Sequence, residues 1–303
     1  MKNLLSLVLI LCLCSLSSFS KGNKPKEFKL FYLGGQSNMD GYGYVKELPD
    51  SLTSEIENVW IFHGNPSWKE DNKGGYGLWE KIKPGHGVGF SSDGSSNKLS
   101  ERFGAELSFA KKLRELYPND NIAIIKYSAG GTSIDSIQGS GSWDADFIGT
   151  LGINQYDYFL RTIKSATTFP DIDGDGNLDT FTPCGIAWMQ GESDAVHSEE
   201  IALRYFDNLK RLMDLIRASL RKDDIPVAIG KISDSGMNEK GKIWKYGELV
   251  QYAEEKYAKT DRKAAIIRNT KYYKYSDAAH YDSNGYIDLG KAFADAIYKL
   301  SEK

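Results

Sequence analysis

The chain has 303 residues, of which 41% are hydrophobic and 26% are charged, a composition typical of a soluble globular protein with a sizeable core. Its 38 basic and 41 acidic side chains give a formal net charge of −3, and no block of Lys or Arg indicates nucleic acid or an anionic membrane as a partner. The length fits one α/β domain or two small domains.

The N-terminus has the organisation of a secretory signal peptide. Lys2 precedes an apolar run over residues 4–13, and small residues follow up to Ser20. The apolar run is too short to span a bilayer comfortably. We therefore predict that residues 1–20 are removed and that the mature protein is periplasmic or secreted, with no membrane partner beyond the export step.

The three cysteines agree with this prediction. Cys12 and Cys14 lie in the predicted signal peptide, and each follows a leucine rather than a small residue, so that simple cleavage is favoured over a lipoprotein signal. Only Cys184 would remain after cleavage, which excludes an internal disulfide. The apolar residues around Cys184 indicate a packed side chain rather than a nucleophile.

Five short apolar runs alternate with stretches of helical periodicity. Runs without polar alternation are typical of strands buried on both faces of a parallel sheet. The alternation predicts a three-layer α/β/α sandwich around a central, mostly parallel five-stranded sheet, and residues 21–303 are predicted to form a single domain. The predicted strands are residues 28–33, 122–127, 185–189, 226–232 and 264–268, and the predicted helices are residues 99–116, 156–165, 198–220, 243–258 and 284–300.

Residues 40–97 do not follow this rhythm. The segment is rich in Gly, Ser, Asn and Trp, and we predict a long loop insertion with at most short elements. It directly follows the first predicted strand, where α/β folds place their ligands. Long loops in compact domains are usually functional, although a simple surface insertion is the alternative.

Two polar motifs near opposite ends of the sequence provide the parts of a nucleophilic site. Ser37 follows two glycines directly after the first predicted strand, where glycine permits a sharp turn. The spacing resembles the Gly-x-Ser-x-Gly elbow, although Met39 occupies the last glycine position. Asp277 and His280 lie just before the last predicted helix, and a histidine base held by a carboxylate can activate a serine. Taken separately, an ordinary turn serine and a solvated loop pair are the favoured interpretations of the two motifs.

Two further loops, residues 128–133 and 190–194, follow predicted strands. Acyl transfer requires hydrogen-bond donors for a developing oxyanion. The backbone N–H groups of Ser37 and Gly130 and the carboxamide of Gln190 are the candidates. Four loops are thus predicted to meet in one acyl-transfer site.

The four motifs together resemble the SGNH (GDSL) hydrolase superfamily, and more closely its sialate O-acetylesterase-like branch, which includes carbohydrate acetylesterases. The blocks occur in the same order from about Phe28 to the end of the chain. The Gln-Ser-Asn-Met and Gln-Gly-Glu-Ser-Asp blocks are specific, whereas Asp-x-x-His is common throughout the superfamily. The matching blocks are residues 35–39, 130–134, 188–194 and 277–280.

This resemblance implies the flavodoxin-like SGNH fold and a serine esterase that acts on acetylated carbohydrates without a metal or organic cofactor. It implies Ser37 as nucleophile, with Asp277 and His280 completing the triad, and Gly130 as an oxyanion-hole glycine. Gln190 stands where SGNH enzymes generally have asparagine. That substitution is typical of the acetylesterase branch, and it keeps the amide donor.

Two acidic residues near Gln190 have two interpretations. Glu192 and Asp194 either orient Gln190 and its loop, which we favour, or cap the following helix. The three remaining histidines have no acidic partner at an informative spacing, and we expect surface positions for His63, His86 and His197.

A separate acidic segment resembles a calcium loop. Its oxygen-bearing residues alternate, and a glycine occupies the sixth position, as in an EF-hand. The twelfth position is Thr182 rather than Glu and no helix pair flanks the segment, so that an Asp/Gly-rich turn is the favoured alternative. The candidate ligands are Asp171, Asp173, Asp175, Asn177 and Asp179.

Two other functions compete with carbohydrate deacetylation. A lipid or thioester hydrolase on the same fold should have an apolar acyl channel, whereas residues 40–97 are strongly polar. A non-catalytic glycan-binding module is disfavoured because the serine, aspartate, histidine and oxyanion donors are all present.

Overall fold

The computed structural model describes residues 24–68, 72–136, 141–148, 153–239 and 241–302. The predicted signal peptide, with Cys12 and Cys14, lies outside the described residues. Within these ranges, no helix is both long enough and apolar enough to cross a membrane.

The elements alternate along the chain much as the apolar runs predict. The strands are β1 (Glu27–Gly35), β2 (Gly43–Tyr44), β3 (Val59–His63), β4 (Trp79–Lys81), β5 (Ser91–Ser92), β6 (Asn97–Lys98), β7 (Arg102–Phe103), β8 (Asn121–Ser128), β9 (Thr180–Met189), β10 (Val227–Gly230) and β11 (Ala264–Ile267). The helices are α1 (Ser37–Asp40), α2 (Glu106–Leu116), α3 (Gln155–Thr167), α4 (Glu199–Ser219), α5 (Gly247–Thr260) and α6 (Ser283–Ser301). Short 3-10 helices span Val45–Glu47, Asp50–Leu52 and Asn269–Tyr272.

A central sheet carries the fold, with strand order β11-β10-β9-β1-β8-β3-β4. All neighbouring strands are parallel except β4, which runs antiparallel to β3 at the edge. Every residue of β1 from Leu30 to Gly35 is buried, as expected for a central strand covered on both faces. With helices flanking the sheet, the predicted α/β fold is confirmed.

The sheet nevertheless has seven strands rather than the predicted five. Both additional strands come from residues 40–97, the segment predicted as a long loop with at most short elements. All five residues of β3 are buried, and the strand pairs in parallel with β8. The apolar run of β3 did not stand out in the sequence because the polar, glycine-rich residues on both sides dominate the composition of the segment.

Side-chain caps define the beginnings of two long helices. The Ser198 side chain accepts a hydrogen bond from the N–H of Ile201 at the start of α4. At the start of α6, the Asp282 side chain accepts from the N–H of Gly285. Such caps satisfy N–H groups that have no partner inside the helix. The predicted helix at 99–116 is shorter than expected, because β7 occupies its first turn.

The strand register brings three loops together. Gly35, at the end of β1, lies opposite both Ser128 of β8 and Met189 of β9. The loops that follow these three strands therefore begin side by side at the carboxyl edge of the sheet, the edge at which open α/β folds bind ligands.

Candidate active site

A tight turn connects β1 to α1 and positions Ser37. Gly35 has φ +145, and a Cβ at this position would lie 1.9 Å from the carbonyl oxygen of Met189, so that only glycine fits. The next residue, Gln36, donates its backbone N–H to the same carbonyl at 2.9 Å. Ser37 is then the first residue of α1, and its side chain is largely buried. Since a helix offers no internal partner to its first N–H groups, the Ser37 N–H is available to a ligand.

His280 and Asp277 form a hydrogen-bonded pair in the segment before α6. The distance between His280 Nδ1 and Asp277 Oδ2 is 2.8 Å, and the other carboxylate oxygen accepts from the backbone N–H groups of Ala279 and His280, each at 2.8 Å. Partial burial opposes ionisation of Asp277, but these hydrogen bonds outweigh it and lower the pKa of the carboxyl group. The carboxylate is therefore ionised at neutral pH, and it fixes the orientation of the imidazole ring.

Tyr42 covers one face of the same imidazole. The rings of Tyr42 and His280 are stacked, with centroids 3.5 Å apart and an angle of 5° between their planes. Tyr42 follows α1, so the turn that carries Ser37 also provides a support for His280. Tyr42 lies in the predicted loop insertion, and nothing in the sequence indicated this role.

Asn38 links the two halves of the site. Its Nδ2 donates to the carbonyl of Ala279 at 3.1 Å, and its Oδ1 accepts from the N–H of Tyr281 at 3.3 Å. These two contacts lie on either side of His280. The buried Asn38 side chain thus brings the histidine segment against the turn that bears Ser37, although 243 residues separate Asn38 from Tyr281.

Gly130 lies directly against Ser37. A Cβ at Gly130 would lie 3.2 Å from the Cβ of Ser37 and 3.1 Å from Oδ2 of Asp40. The carbonyl of Gly130 accepts a 2.8 Å hydrogen bond from Nε1 of Trp68, a residue of the long insertion that is 48% exposed. The structure therefore brings Gly130 to the predicted nucleophile and adds an exposed indole beside it.

The carboxamide of Gln190 is fully buried in a hydrogen-bonded network. Nε2 donates to Asp194 Oδ2 at 2.6 Å, with Thr132 O and Gln36 Oε1 at 3.2 and 3.3 Å, and Oε1 accepts from Tyr205 Oη at 2.9 Å. An amide nitrogen has only two protons. Donation to an oxyanion, which stays a prediction, therefore requires Nε2 to give up one of these protein acceptors.

Asp194 and Glu192 each hold another part of the site. Asp194 accepts from the backbone N–H groups of Ile134 and Asp135 as well as from Gln190, and burial raises its pKa to about 7 despite these hydrogen bonds. Glu192 accepts from Asn38 at 2.8 Å, and burial raises its pKa as well. Neither residue caps α4, which begins after Ser198, so the capping interpretation is excluded.

The comparison with protein families agrees with this geometry. The family described as "Carbohydrate esterase, sialic acid-specific acetylesterase" matches residues 27–299, nearly the whole chain. The chain belongs to this family. Membership makes it a carbohydrate esterase, a hydrolase of carboxylic esters. No curated protein matches the sequence.

Several solved structures share the fold of this chain at low sequence identity. A protein from Arabidopsis thaliana has 19% identity and a TM-score of 0.62, over 91% of this chain and 98% of its own. A carbohydrate acetylesterase from Xanthomonas citri has 18% identity and a TM-score of 0.60, over 90% of this chain and 57% of its own. NanS has 16% identity and a TM-score of 0.57, over 91% of this chain and 98% of its own.

A buried ion pair that the sequence did not predict contacts the end of α1, the helix that begins at Ser37. Nζ of Lys126 lies 2.8 Å from Glu106 Oε2 and donates to the backbone carbonyls of Asp40 and His86 at 2.9 and 2.7 Å. The signal was a single lysine within the apolar run of β8. Removing either charged partner would leave the other buried and unpaired, which is costly.

Two histidines expected on the surface are buried. His63 ends β3, and its Nδ1 lies 3.4 Å from Nδ1 of His86. Burial and the nearby Lys126 ammonium lower the pKa of both rings, to about 3 for His86, so both are neutral at physiological pH. The surface prediction is wrong for His63 because β3 carries it into the sheet, and for His86 because its ring packs against His63 and Phe90 and its carbonyl accepts from Lys126. His197 is exposed, as expected.

Proposed function

We propose that the chain is an exported serine esterase that removes O-acetyl groups from carbohydrates through an acyl-enzyme intermediate. The observation that carries the proposal is the pair of hydrogen bonds from Asn38 to the backbone on both sides of His280. They support the proposal because they hold the backbone around His280, whose ring is bonded to Asp277, next to the turn that bears Ser37. A serine that a histidine activates, with a carboxylate holding the imidazole, is the usual nucleophilic triad.

In the first half-reaction, Ser37 Oγ attacks the acetyl carbonyl carbon. Asp277 engages Nδ1 of His280, so Nε2 is the ring nitrogen that takes the serine proton. The carbonyl π electrons move to oxygen, and the resulting oxyanion is stabilised by the backbone N–H groups of Ser37 and Gly130 and by the Gln190 amide, once that amide gives up one of its protein acceptors. When the tetrahedral intermediate collapses, His280 gives its proton to the departing sugar oxygen, and the acetyl group stays on Ser37.

In the second half-reaction, water attacks the acetyl-serine. His280 removes a proton from the water molecule and then returns it to Ser37 Oγ, which releases acetate. Asp277 stabilises the imidazolium ion in both halves, since its own lowered pKa keeps it ionised. Every step uses groups of this chain, water and the ester.

The carbohydrate specificity is supported by family membership and by one feature of the site. Trp68 presents an exposed indole at Gly130, beside the predicted oxyanion hole. Aromatic faces pack well against the apolar faces of sugar rings. Export is supported only by the N-terminal sequence pattern, and N-terminal sequencing of secreted material should find a start near Lys21.

The test of this function combines one variant with a panel of substrates. Ser37→Ala should lower hydrolysis of a chromogenic acetyl ester by at least about 10⁴-fold while the melting temperature stays close to wild type, because the substitution removes only one oxygen atom. Acetate release from acetylated xylan, pectin and sialic acids then identifies the sugar. Activity of Ser37→Ala near that of wild type would exclude the mechanism, and a preference for long acyl chains would favour a lipid hydrolase.

A further inference from the structure

The acidic loop before β9 brings carboxylates into close contact at the edge of the sheet opposite to Ser37. Asp171, Asp173 and Asp179 each offer a carboxylate oxygen, and these atoms all lie within 4.8 Å of one another. Calcium–oxygen distances are about 2.3–2.6 Å, so oxygens on opposite sides of one ion are separated by up to about 5 Å. The separation of the three oxygens is therefore compatible with binding to a single calcium ion.

Two of these carboxylates also have buried oxygens with no partner. Oδ1 of Asp171 and Oδ1 of Asp173 are inaccessible to solvent, and neither receives a hydrogen bond from the described residues. The Asp173 side chain is only 9% exposed. A carboxylate oxygen removed from water without a donor is costly. A cation bound by these carboxylates would supply a partner for both oxygens.

The charge balance of the loop points the same way. Lys26 places its ammonium group between Asp173 and Asp175, and it lies 2.7 Å from Oδ2 of Asp175. Among the described residues, no side-chain cation pairs with Asp171 or Asp179. Asp171 accepts from the N–H of Gly176, and Asp179 from the N–H groups of Lys26 and Ile172. One positive charge therefore faces four carboxylates, and the segment attracts a further cation.

We propose that Asp171, Asp173 and Asp179 bind a calcium ion. Calcium prefers carboxylate and carbonyl oxygens in a flexible arrangement, and the loop supplies oxygen ligands alone. Gly176 has φ +84 at the sixth position of the segment, the position at which calcium loops make a sharp turn. Because Thr182 replaces the bidentate glutamate at the twelfth position, the site belongs with weak extracellular sites, whose Kd is about 10⁻⁴–10⁻³ M.

The site connects two segments of the chain. The backbone N–H of Lys26 donates to Asp179 at 3.1 Å, and the carbonyl of Lys26 accepts from the N–H of Thr180 at 2.9 Å, where β1 and β9 begin their pairing. Ser37 follows the other end of β1. Calcium therefore stabilises the first residues of the central strand and leaves turnover of the ester unchanged below the melting temperature.

Thermal unfolding of the full chain is measured in about 5 mM CaCl₂, a concentration above the expected Kd, and in EDTA, which removes calcium. Calcium should raise the melting temperature of the wild type by about 5 °C. Asp173→Asn should lose most of this shift, and Asp207→Asn, which removes an exposed carboxylate on α4, should keep it. Equal shifts in all three proteins, or no shift in the wild type, would overturn the proposal.

A second variant tests the site if Asp173→Asn does not fold. Lys26→Ala removes the ammonium that competes with the ion, and calorimetric titration with CaCl₂ should give at least about threefold tighter binding than in wild type. Weaker binding in Lys26→Ala would contradict the proposal. Both measurements are independent of esterase activity.

Discussion

Asn38 donates a 2.8 Å hydrogen bond to the buried carboxylate of Glu192, and this contact joins the loop after β9 to the turn after β1. The same Asn38 amide group also donates to Ala279, beside His280. A residue adjacent to the proposed nucleophile therefore sets the position of the proposed base, and the carboxylate of Glu192 sets the orientation of that residue.

Substitutions that exchange the amide of Asn38 and the carboxylate of Glu192 should show that the two side chains act together on turnover. Asn38→Asp places two carboxylates in contact, and we expect kcat to fall by about 10²-fold, since like charges repel and the segment at His280 loses a donor. Adding Glu192→Gln restores a donor to the pair and should recover part of the loss. The measurement is a double-mutant cycle in kcat/KM. Strictly additive effects of the two substitutions would contradict the coupling.

The aromatic ring of Tyr42, and not its hydroxyl group, should contribute to turnover by stacking on His280. Tyr42→Phe keeps the ring and should retain near-wild-type kcat, whereas Tyr42→Ala should lower kcat by up to about tenfold, the equivalent of one aromatic contact of about 0.5–1.5 kcal/mol. Steady-state kinetics of both variants provide the test. An equal loss in Tyr42→Phe would assign the effect to the hydroxyl group instead.

Gln190 should affect both catalysis and stability. We expect Gln190→Ala to lower kcat by about 10²–10³-fold with little change in KM, the loss produced by removing one oxyanion donor. The melting temperature should also fall, because Asp194 and Tyr205 each lose a buried partner. Gln190→Glu should be at least as damaging to kcat, since a carboxylate offers no N–H. Unchanged kcat in Gln190→Ala would remove this side chain from the site.

Asp194 should make the protein less stable as the pH rises. Burial raises its pKa to about 7, whereas an unfolded aspartate titrates near about 3.9. The folded state thus holds the proton more tightly, and the associated stability is complete below about pH 4 and lost as the pH rises through about 7.

We therefore expect the free energy of unfolding to decrease between about pH 5 and about pH 8, and to decrease less in Asp194→Asn. The single amide oxygen of the variant can still accept from Ile134 or from Asp135, which bind different oxygens of the carboxylate, so part of the hydrogen bonding is kept. Urea unfolding at the two pH values measures the difference. Burial also raises the pKa of Asp40, to about 6, and this residue contributes equally to both proteins. Identical slopes for the two proteins would show that Asp194 is not the group that titrates.

The sequence predicted the parts of the site that depend on local chemistry. Ser37 after two glycines, and Asp277 three residues before His280, are patterns of short range, and the structure brings the surrounding segments together. Parallel β1, β8 and β9 follow from apolar runs, because a strand buried on both faces has no polar alternation.

The parts that sequence reasoning missed depend on contacts between distant segments. Asn38 has ordinary chemistry, and its role arises from bonds to residues 279 and 281. Lys126 has a buried ammonium group because Glu106 and two backbone carbonyl groups from other segments of the chain surround it. The prediction put His63 and His86 on the surface because their neighbours in the sequence are polar. Tertiary contacts bury both rings instead.

The insertion between β1 and α2 also limits how the enzyme can be remodelled. Val59–His63 forms an interior strand of the sheet, and the carbonyl of His86 is one of the acceptors of the buried Lys126 ammonium. A chimaera that exchanges the whole insertion for a shorter loop from another esterase would open the sheet beside β8 and leave an ammonium group without one of its partners. Substrate range should instead be altered at the rim, around Trp68, where the indole is exposed and the sheet is not involved.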